Sequence, residues 1–317
     1  MKIKQIYSIS SSFLSQRNVS EPEDSARYIM SHVADLGYTR SNFYANEDKT
    51  LSPEQLQSVL HGLVKRIDSR TPVQYIIGNW DFFGLTLQCR EPILIPRPET
   101  EELVERIITT NILQRISTPR ILDIGAGTGA IGIAIAHQIP SLTCVAIDIN
   151  NEAVSLASLN ARNIFGESCG CRYTCIHSSF DQFYQTNVYK NKNNKDDDDH
   201  LFDMIVSNPP YIPTAQLASL DPEVRLHEDF VALDGGEDGL DIILQLVRGA
   251  PALLRGDGPR ELWMEVAEHH PAVLEQIVPK IAGMYSTNIL MYVCMYVYVH
   301  AWYVCVHTSD EYNNCAP

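Results

Sequence analysis

From Arg120 onward, short apolar runs alternate with helical stretches, and this pattern constrains the fold more than any other feature. Strands that alternate with helices form a parallel sheet covered by helices on its faces. Ile121-Leu122-Asp123-Ile124 reads as a buried strand and residues 131–136 as the helix after it. Residues 143–147 make a second strand, ending at Asp148; residues 152–163 are helical and residues 173–176 are a third strand. Residues 202–206 supply the fourth strand, residues 240–254 a helix and residues 262–266 the fifth strand. The expected class is therefore α/β.

The N-terminal part reads differently. Ser20-Glu21-Pro22-Glu23 opens a helix, with Ser20 as cap and Glu23 completing a capping box. Ala26, Ile29, Met30 and Val33 keep helical spacing up to Gly37. Ser52-Pro53-Glu54-Gln55 repeats the start signal, and Leu56, Val59, Leu60, Leu63, Val64 and Ile67 form a broad apolar stripe. These stripes predict a small helical domain over residues 20–70. Tyr75-Ile76-Ile77, a Gly78-Asn79 turn, then Trp80, Phe82, Phe83 and Leu85 around Gly84 read as a hairpin. Ile95-Pro96-Arg97-Pro98-Glu99-Thr100-Glu101 is a rigid connector, with the helix of Leu103, Val104, Ile107 and Ile108 after it.

The net charge of -15 argues against a nonspecific nucleic-acid binder, because phosphate contacts need a basic face. The eight cysteines show no regular framework, which indicates a reducing compartment. Outside the C-terminal stretch, no uninterrupted apolar run reaches the roughly 18–20 residues of a membrane span. The first 20 residues hold Lys2, Lys4 and Arg17, several serines and no acid. That composition suits a mitochondrial presequence or a plain disordered start.

Two loops carry chemistry. Gly125-Ala126-Gly127-Thr128-Gly129 follows the first strand and opens a helix, so backbone N–H groups can meet the polar end of a ligand. Asp148 ends the next strand, where a carboxylate can accept both hydroxyls of a ribose. The pair indicates a nucleoside-containing cofactor, and dinucleotide and S-adenosylmethionine readings are equally open on it; Gly125-x-Gly127-x-x-Ala130 also fits the dinucleotide fingerprint. The second loop, Asn208-Pro209-Pro210-Tyr211, decides between them. It stops an apolar strand with two prolines, leaving one side-chain amide, unpaired carbonyls and an aromatic face at the strand's C-terminal end. Hydride transfer has no use for such a clamp. Methyl transfer to an amide or amino nitrogen does, because Asn208 and the Pro209 carbonyl can accept both N–H bonds while Tyr211 packs on the planar group. No strong general base stands out nearby.

Arg70-Thr71-Pro72-Val73-Gln74-Tyr75-Ile76-Ile77-Gly78, Ile95-Pro96-Arg97-Pro98-Glu99-Thr100-Glu101, the glycine loop, Asn208-Pro209-Pro210-Tyr211 and the stretch from Ala232 through Gly239 to Leu240 occur in order. In this set the chain resembles the HemK/PrmC family of protein-(glutamine-N5) methyltransferases, over residues 20–280. Trp263-Met264-Glu265-Val266 and the residues after it resemble the animal mitochondrial branch. The resemblance implies a Rossmann-like S-adenosylmethionine-dependent methyltransferase sheet with a small helical N-terminal domain. It implies N5-methylation of the glutamine in the Gly-Gly-Gln motif of class I peptide-release factors, in translation termination. Gly125, Ala126, Gly127, Thr128 and Gly129 would then hold the methionine end of the cofactor and Asp148 the ribose. Phe180 would pack on the adenine, and Asn208, adjoining the cofactor, with Pro209, Pro210 and Tyr211 would hold the acceptor glutamine. The domains implied are a transit peptide or disordered start (1–19), a substrate-docking helical domain (20–70), a hairpin and linker (71–102), the methyltransferase domain (103–282) and an aberrant tail (283–317). A monomer in mitochondria, or alternatively in the cytoplasm, is expected, with a release factor as partner and neither direct nucleic acid nor membrane.

The chain departs from the family pattern twice. Asp196-Asp197-Asp198-Asp199, within residues 191–200, reads as a solvated loop insertion. Residues 291–307 draw on Met, Tyr, Val, Cys and His almost alone, as a translated dinucleotide repeat would. The family's terminal strand pair is therefore expected to be missing, which would leave an open sheet edge and a weakly stable protein. A nucleic-acid amino-methyltransferase, which uses the same clamp on exocyclic amines, and an inactive splice product are the alternatives. Cys169, Cys171, Cys175 and His177 lack the paired spacing of a zinc site, so no metal is expected. His269-His270 reads as a surface pair.

Overall fold

The computed structural model describes residues 1–193, 201–256, 258–284, 294–298 and 301–307. The chain forms two compact units. The first comprises residues 1–80, 89–92 and 220–228; the second comprises residues 81–88, 93–219 and 229–317.

The first unit is helical: α1 (Ile3–Ser15), α2 (Pro22–Val33), α3 (Arg40–Ala45), α4 (Pro53–Asp68) and α5 (Val73–Ile77). The start of the chain is not disordered, since α1 buries Ile3, Ile6 and Leu14 in the core with Ile29, Met30, Phe43, Val59 and Leu63. At α4 the capping box forms as the sequence indicates, Ser52 accepting from the Gln55 amide. At α2 it does not. The helix opens at Pro22 behind a left-handed Glu21, and the Ser20 hydroxyl instead donates to Glu223. Glu223 also receives Arg66 at 2.8 Å and Arg70 at 3.0 Å, so a segment far downstream in the chain is anchored in this unit by paired, buried charge. Residues 75–77 belong to α5 rather than to a strand. The hairpin is β1 (Asn79–Phe82) and β2 (Leu85–Gln88), turning at Phe83-Gly84.

In the second unit, α6 (Pro98–Thr109) begins ahead of Leu103, because proline fits the first helical position, where its missing N–H costs nothing. The strands are β3 (Arg120–Ile124), β4 (Thr143–Asp148), β5 (Tyr173–His177), β6 (Met204–Ser207) and β7 (Glu261–Val266). Between them run α7 (Ala130–Gln138), α8 (Asn151–Phe165), α9 (Cys169–Arg172), α10 (Phe180–Asn193), α11 (Pro222–His227, in the first unit), α12 (Phe230–Leu233) and α13 (Asp241–Gly249). After β7 come α14 (His270–Met284), β8 (Cys294–Tyr298) and β9 (Ala301–His307).

The sheet order is β5-β4-β3-β6-β7-β9-β8, with β3 to β7 parallel. The expected missing strand pair is corrected here: β9 runs antiparallel to β7 from Glu261↔His307 to Val266↔Trp302, and β8 pairs with β9. β-branched valines and aromatic tyrosine and tryptophan recur in these segments, and such residues favour extended pairing whatever their genetic origin. β7 is thus no open edge, and the expected weak stability loses its premise. The aspartate run lies outside the described residues. His270 is also corrected: it is fully buried, its Nδ1 accepting from the Ala267 amide and its Nε2 donating to the Asp238 carbonyl.

Candidate functional site

The order of strands places the site. β3 lies between β4 and β6, so the chain direction across the sheet reverses there, at the switch point where open α/β sheets bind ligands. Register aligns Ile124 with Ser207, so the glycine loop after β3 and the Asn-Pro-Pro-Tyr loop after β6 leave the sheet side by side. The buried Ser207 hydroxyl donates to the Ile124 carbonyl at 2.7 Å and ties the two loop bases together.

A cavity of about 370 Å³ opens over these strand ends. Gly125, Gly127, Asp148, Phe180, Asn208 and Pro210 all line it, together with Ile93, Ile149, Asn150 and parts of the 229–234 segment. The structure thus brings together residues 125, 148, 180 and 208, which lie far apart along the sequence. Ala126, Thr128 and Gly129 are not on the cavity wall; Ala126 and Thr128 are buried behind it. Gly129 takes φ +83° at the head of α7, where an added Cβ would strike Ile133, Tyr173 and Ala157, so it serves helix packing. Pro209 and Tyr211 also stand off the lining.

Asp148 is held from two sides. Its Oδ2 accepts the Gly127 amide and its Oδ1 the Asn150 amide, both at 2.8 Å. Burial pushes its carboxyl upward, against these two hydrogen bonds. Asn150, capping α8, donates to Asp229 at 2.9 Å and joins the 229–234 segment to the same wall. Farther on, Gly239 sits at φ +74°, and a Cβ there would collide with the Tyr211 carbonyl and the His270 ring. The Gly235–Gly239 turn thereby backs the Asn-Pro-Pro-Tyr loop, a role its sequence does not reveal.

A buried polar chain supports that loop. Asn208 Nδ2 donates to Thr100 Oγ1 at 3.2 Å, and Thr100 Oγ1 donates to Glu265 Oε2 at 2.7 Å. The Tyr211 hydroxyl donates to Glu265 Oε1 at 2.9 Å. Glu265 is 1% exposed, and burial raises its pKa against the bonds from Thr100, Tyr211 and Asn208. A buried carboxylate therefore stands behind the clamp, a residue that sequence reading did not single out. The available signal was an acid inside the otherwise apolar run of a central strand, since such acids are rarely buried without partners. Among the described residues no cluster of His, Cys, Asp and Glu could hold a metal ion, and no helix is long and apolar enough to cross a membrane.

Family models match the PrmC N-terminal domain over residues 5–78 and the methyltransferase small domain over residues 104–221. A human protein, the MTRF1L release factor glutamine methyltransferase, is 36% identical over 269 residues, covering 82% of this chain and 74% of that protein. The release factor glutamine methyltransferase of Geobacter sulfurreducens is 37% identical, covering 81% of each. The chain belongs to the release factor glutamine methyltransferases. It is a methyltransferase whose methyl donor is S-adenosylmethionine. A solved human catalytic domain, that of hMettl16 in complex with MAT2A 3'UTR hairpin 6, superposes with TM-score 0.51 at 12% identity, over 84% of this chain and 85% of that one, and shares the fold.

The methyltransferase's cavity fits that donor. Added Cβ atoms at Gly125 and Gly127 would meet only Asn208 O at 3.9 Å and Ile93 Cγ2 at 4.0 Å, so both glycines leave open space where they line it. Apolar Ile149 and Phe180 suit a purine, and Asp148 is one of the acidic groups on the wall.

Proposed function

We propose that the chain methylates N5 of the glutamine in the Gly-Gly-Gln motif of a class I peptide-release factor, in translation termination. The observation that carries this reading is the pairing of the glycine loop with the Asn-Pro-Pro-Tyr loop on one cavity, through the Ile124↔Ser207 register.

Gly125, Gly127, Asp148 and Phe180 hold the cofactor, with Ala126, Thr128 and Gly129 shaping the loop from behind. When bound, S-adenosylmethionine supplies a methyl group activated by its own cationic sulfur. The protein's task is alignment. An amide nitrogen is a poor nucleophile because its lone pair is delocalised into the carbonyl. Asn208 Oδ1 and the Pro209 carbonyl accept its two N–H bonds, which orients the nitrogen and enriches it in electrons. Pro210 keeps the loop rigid, and the Tyr211 ring packs on the planar group while its hydroxyl stays on Glu265. The bond from the nitrogen to the methyl carbon forms as the carbon–sulfur bond breaks, the sulfur leaves as a neutral thioether, and the nitrogen's surplus proton passes to solvent.

The helical first unit docks the release factor, and the enzyme acts as a monomer without nucleic acid or membrane. Mitochondria are the proposed location, supported by the resemblance of residues 263–266 to the animal mitochondrial branch. Burial of Ile3, Ile6 and Leu14 in the helical core argues that residues 3–15 stay with the folded enzyme. Incubation with labelled S-adenosylmethionine and a purified release factor tests the activity. Label is expected on the Gly-Gly-Gln glutamine and absent when that glutamine is replaced; label that persists in the replaced factor would refute the reading.

A further inference from the structure

We infer that Glu265, acting through Thr100, sets which end of the Asn208 side-chain amide faces the acceptor, so that Glu265 and Thr100 are positioning residues for the transfer. The inference rests on the proposed role of Asn208 in holding the acceptor amide.

The protons decide the orientation. An ionised carboxylate only accepts hydrogen bonds, whereas a threonine hydroxyl has one proton to give and lone pairs to receive. Thr100 Oγ1 lies 2.7 Å from Glu265 Oε2, and its proton is committed there. Its oxygen can then only accept. The end of the Asn208 amide that stands 3.2 Å away must therefore be the NH2 group, and this leaves Oδ1 as the end available to the cavity that Asn208 lines. The two ends of an amide are nearly equal in size, so packing alone discriminates poorly between them. The direction of the proton chain does discriminate.

Direction matters because the acceptor is itself a primary amide. Its nitrogen presents N–H groups, which need an oxygen opposite them. A flipped Asn208 would oppose N–H to N–H and repel the group it has to hold. The second carboxylate oxygen takes the Tyr211 proton at 2.9 Å, so one buried group orients both side chains of the loop. Glu265 is not on the cavity wall and both its oxygens already receive hydroxyl protons, so it acts on the loop through Thr100, Tyr211 and its own hydrogen bond with the Asn208 amide. Its neighbours on α6 include Glu99, whose charge also bears on it.

Glu265→Gln keeps the shape but leaves one acceptor oxygen for two hydroxyl protons; with its NH2 toward Thr100 it donates there and releases the threonine proton toward Asn208. The expected result, in the full-length enzyme, is a fall in kcat of about 30-fold or more. The Kd for S-adenosylmethionine and the thermal midpoint should stay near wild type, and the KM for the release factor should change less than kcat. Thr100→Val should reproduce the loss and Thr100→Ser should recover most of it. A Thr100→Val enzyme within about 3-fold of wild-type kcat would overturn the inference while leaving the methylation reading intact. An independent readout is the side-chain amide signal of Asn208 in protein labelled with 15N-asparagine, assigned by its loss in Asn208→Ala. It should shift in Glu265→Gln and in Thr100→Val. An unmoved signal would refute the positioning role even if the wild type methylates no release factor, and that last result alone would count against the function.

Discussion

Each wall of the cavity has a buried carboxylate behind it, and the two are used differently. Behind the glycine loop, Asp123 in β3 accepts the Gly132 amide of α7 at 3.0 Å through Oδ2, while its Oδ1 is buried without a partner. Behind the Asn-Pro-Pro-Tyr loop, Glu265 in β7 receives a hydroxyl proton on each oxygen. Burial raises both carboxyls, Asp123 to about 7. The glycine wall presents backbone, which needs a carboxylate only to hold a helix against a strand. The asparagine wall presents a side chain with two unlike ends, which needs a carboxylate to decide between them. A buried acid can thus serve stability on one side of a cavity and orientation on the other.

The largest effect that could break this contrast is on the asparagine wall. Asn208→Ala should lower kcat by roughly 100- to 1,000-fold, the scale for losing one aligned polar contact to the reacting group. Its Kd for S-adenosylmethionine should stay within about 3-fold; equilibrium binding beside single-turnover kinetics separates the two. If cofactor binding collapses instead, the walls are not separable.

Gly127→Ala sharpens the comparison from the other side. Gly127 adopts φ +54° and donates its amide to Asp148, so a side chain there strains the loop and enters the cofactor's space. S-adenosylmethionine binding should weaken by about 10-fold, with kcat at saturation changed little.

The smallest effect separates the two acids through pH. The folded pKa of Asp123 is raised above its unfolded value, so its contribution to stability is fully present below about pH 4 and is lost as pH rises toward about 7. Asp123→Asn should therefore gain stability relative to wild type over that window, by about 1–3 kcal/mol in denaturant titrations, with kcat unaltered apart from folding. A kcat loss comparable to that of Glu265→Gln would erase the distinction.

Much of this was legible in the chain. The spacing of strands and helices after Arg120, the glycine loop and the proline-stopped strand at Asn208 are local signals, each built from neighbouring residues. The helical domain was legible too, apart from its first helix, where Ile3, Ile6 and Leu14 are too sparse to announce a core without the partners they pack on. Local pattern misled at residues 75–77, where β-branched residues sit in a short helix closed by Gly78 at φ +78°. It misled again at His270, whose partner carbonyl at Asp238 lies 32 positions away. In the tail, a narrow, repeat-like composition obscured a strong preference for extended pairing.

What the sequence determined by itself was the α/β class, the cofactor type and the chemical character of the clamp, because these depend on backbone propensity and on residue types at fixed short spacing. Tertiary structure alone decided that β3 and β6 are neighbours, that residues 220–228 join the helical unit through Glu223, and that Thr100 and Glu265, 165 positions apart, meet beneath Asn208. Strand order and buried hydrogen bonds join residues with no proximity along the chain. Only the packing that buries them makes a carboxylate and a threonine hydroxyl each other's necessary partner.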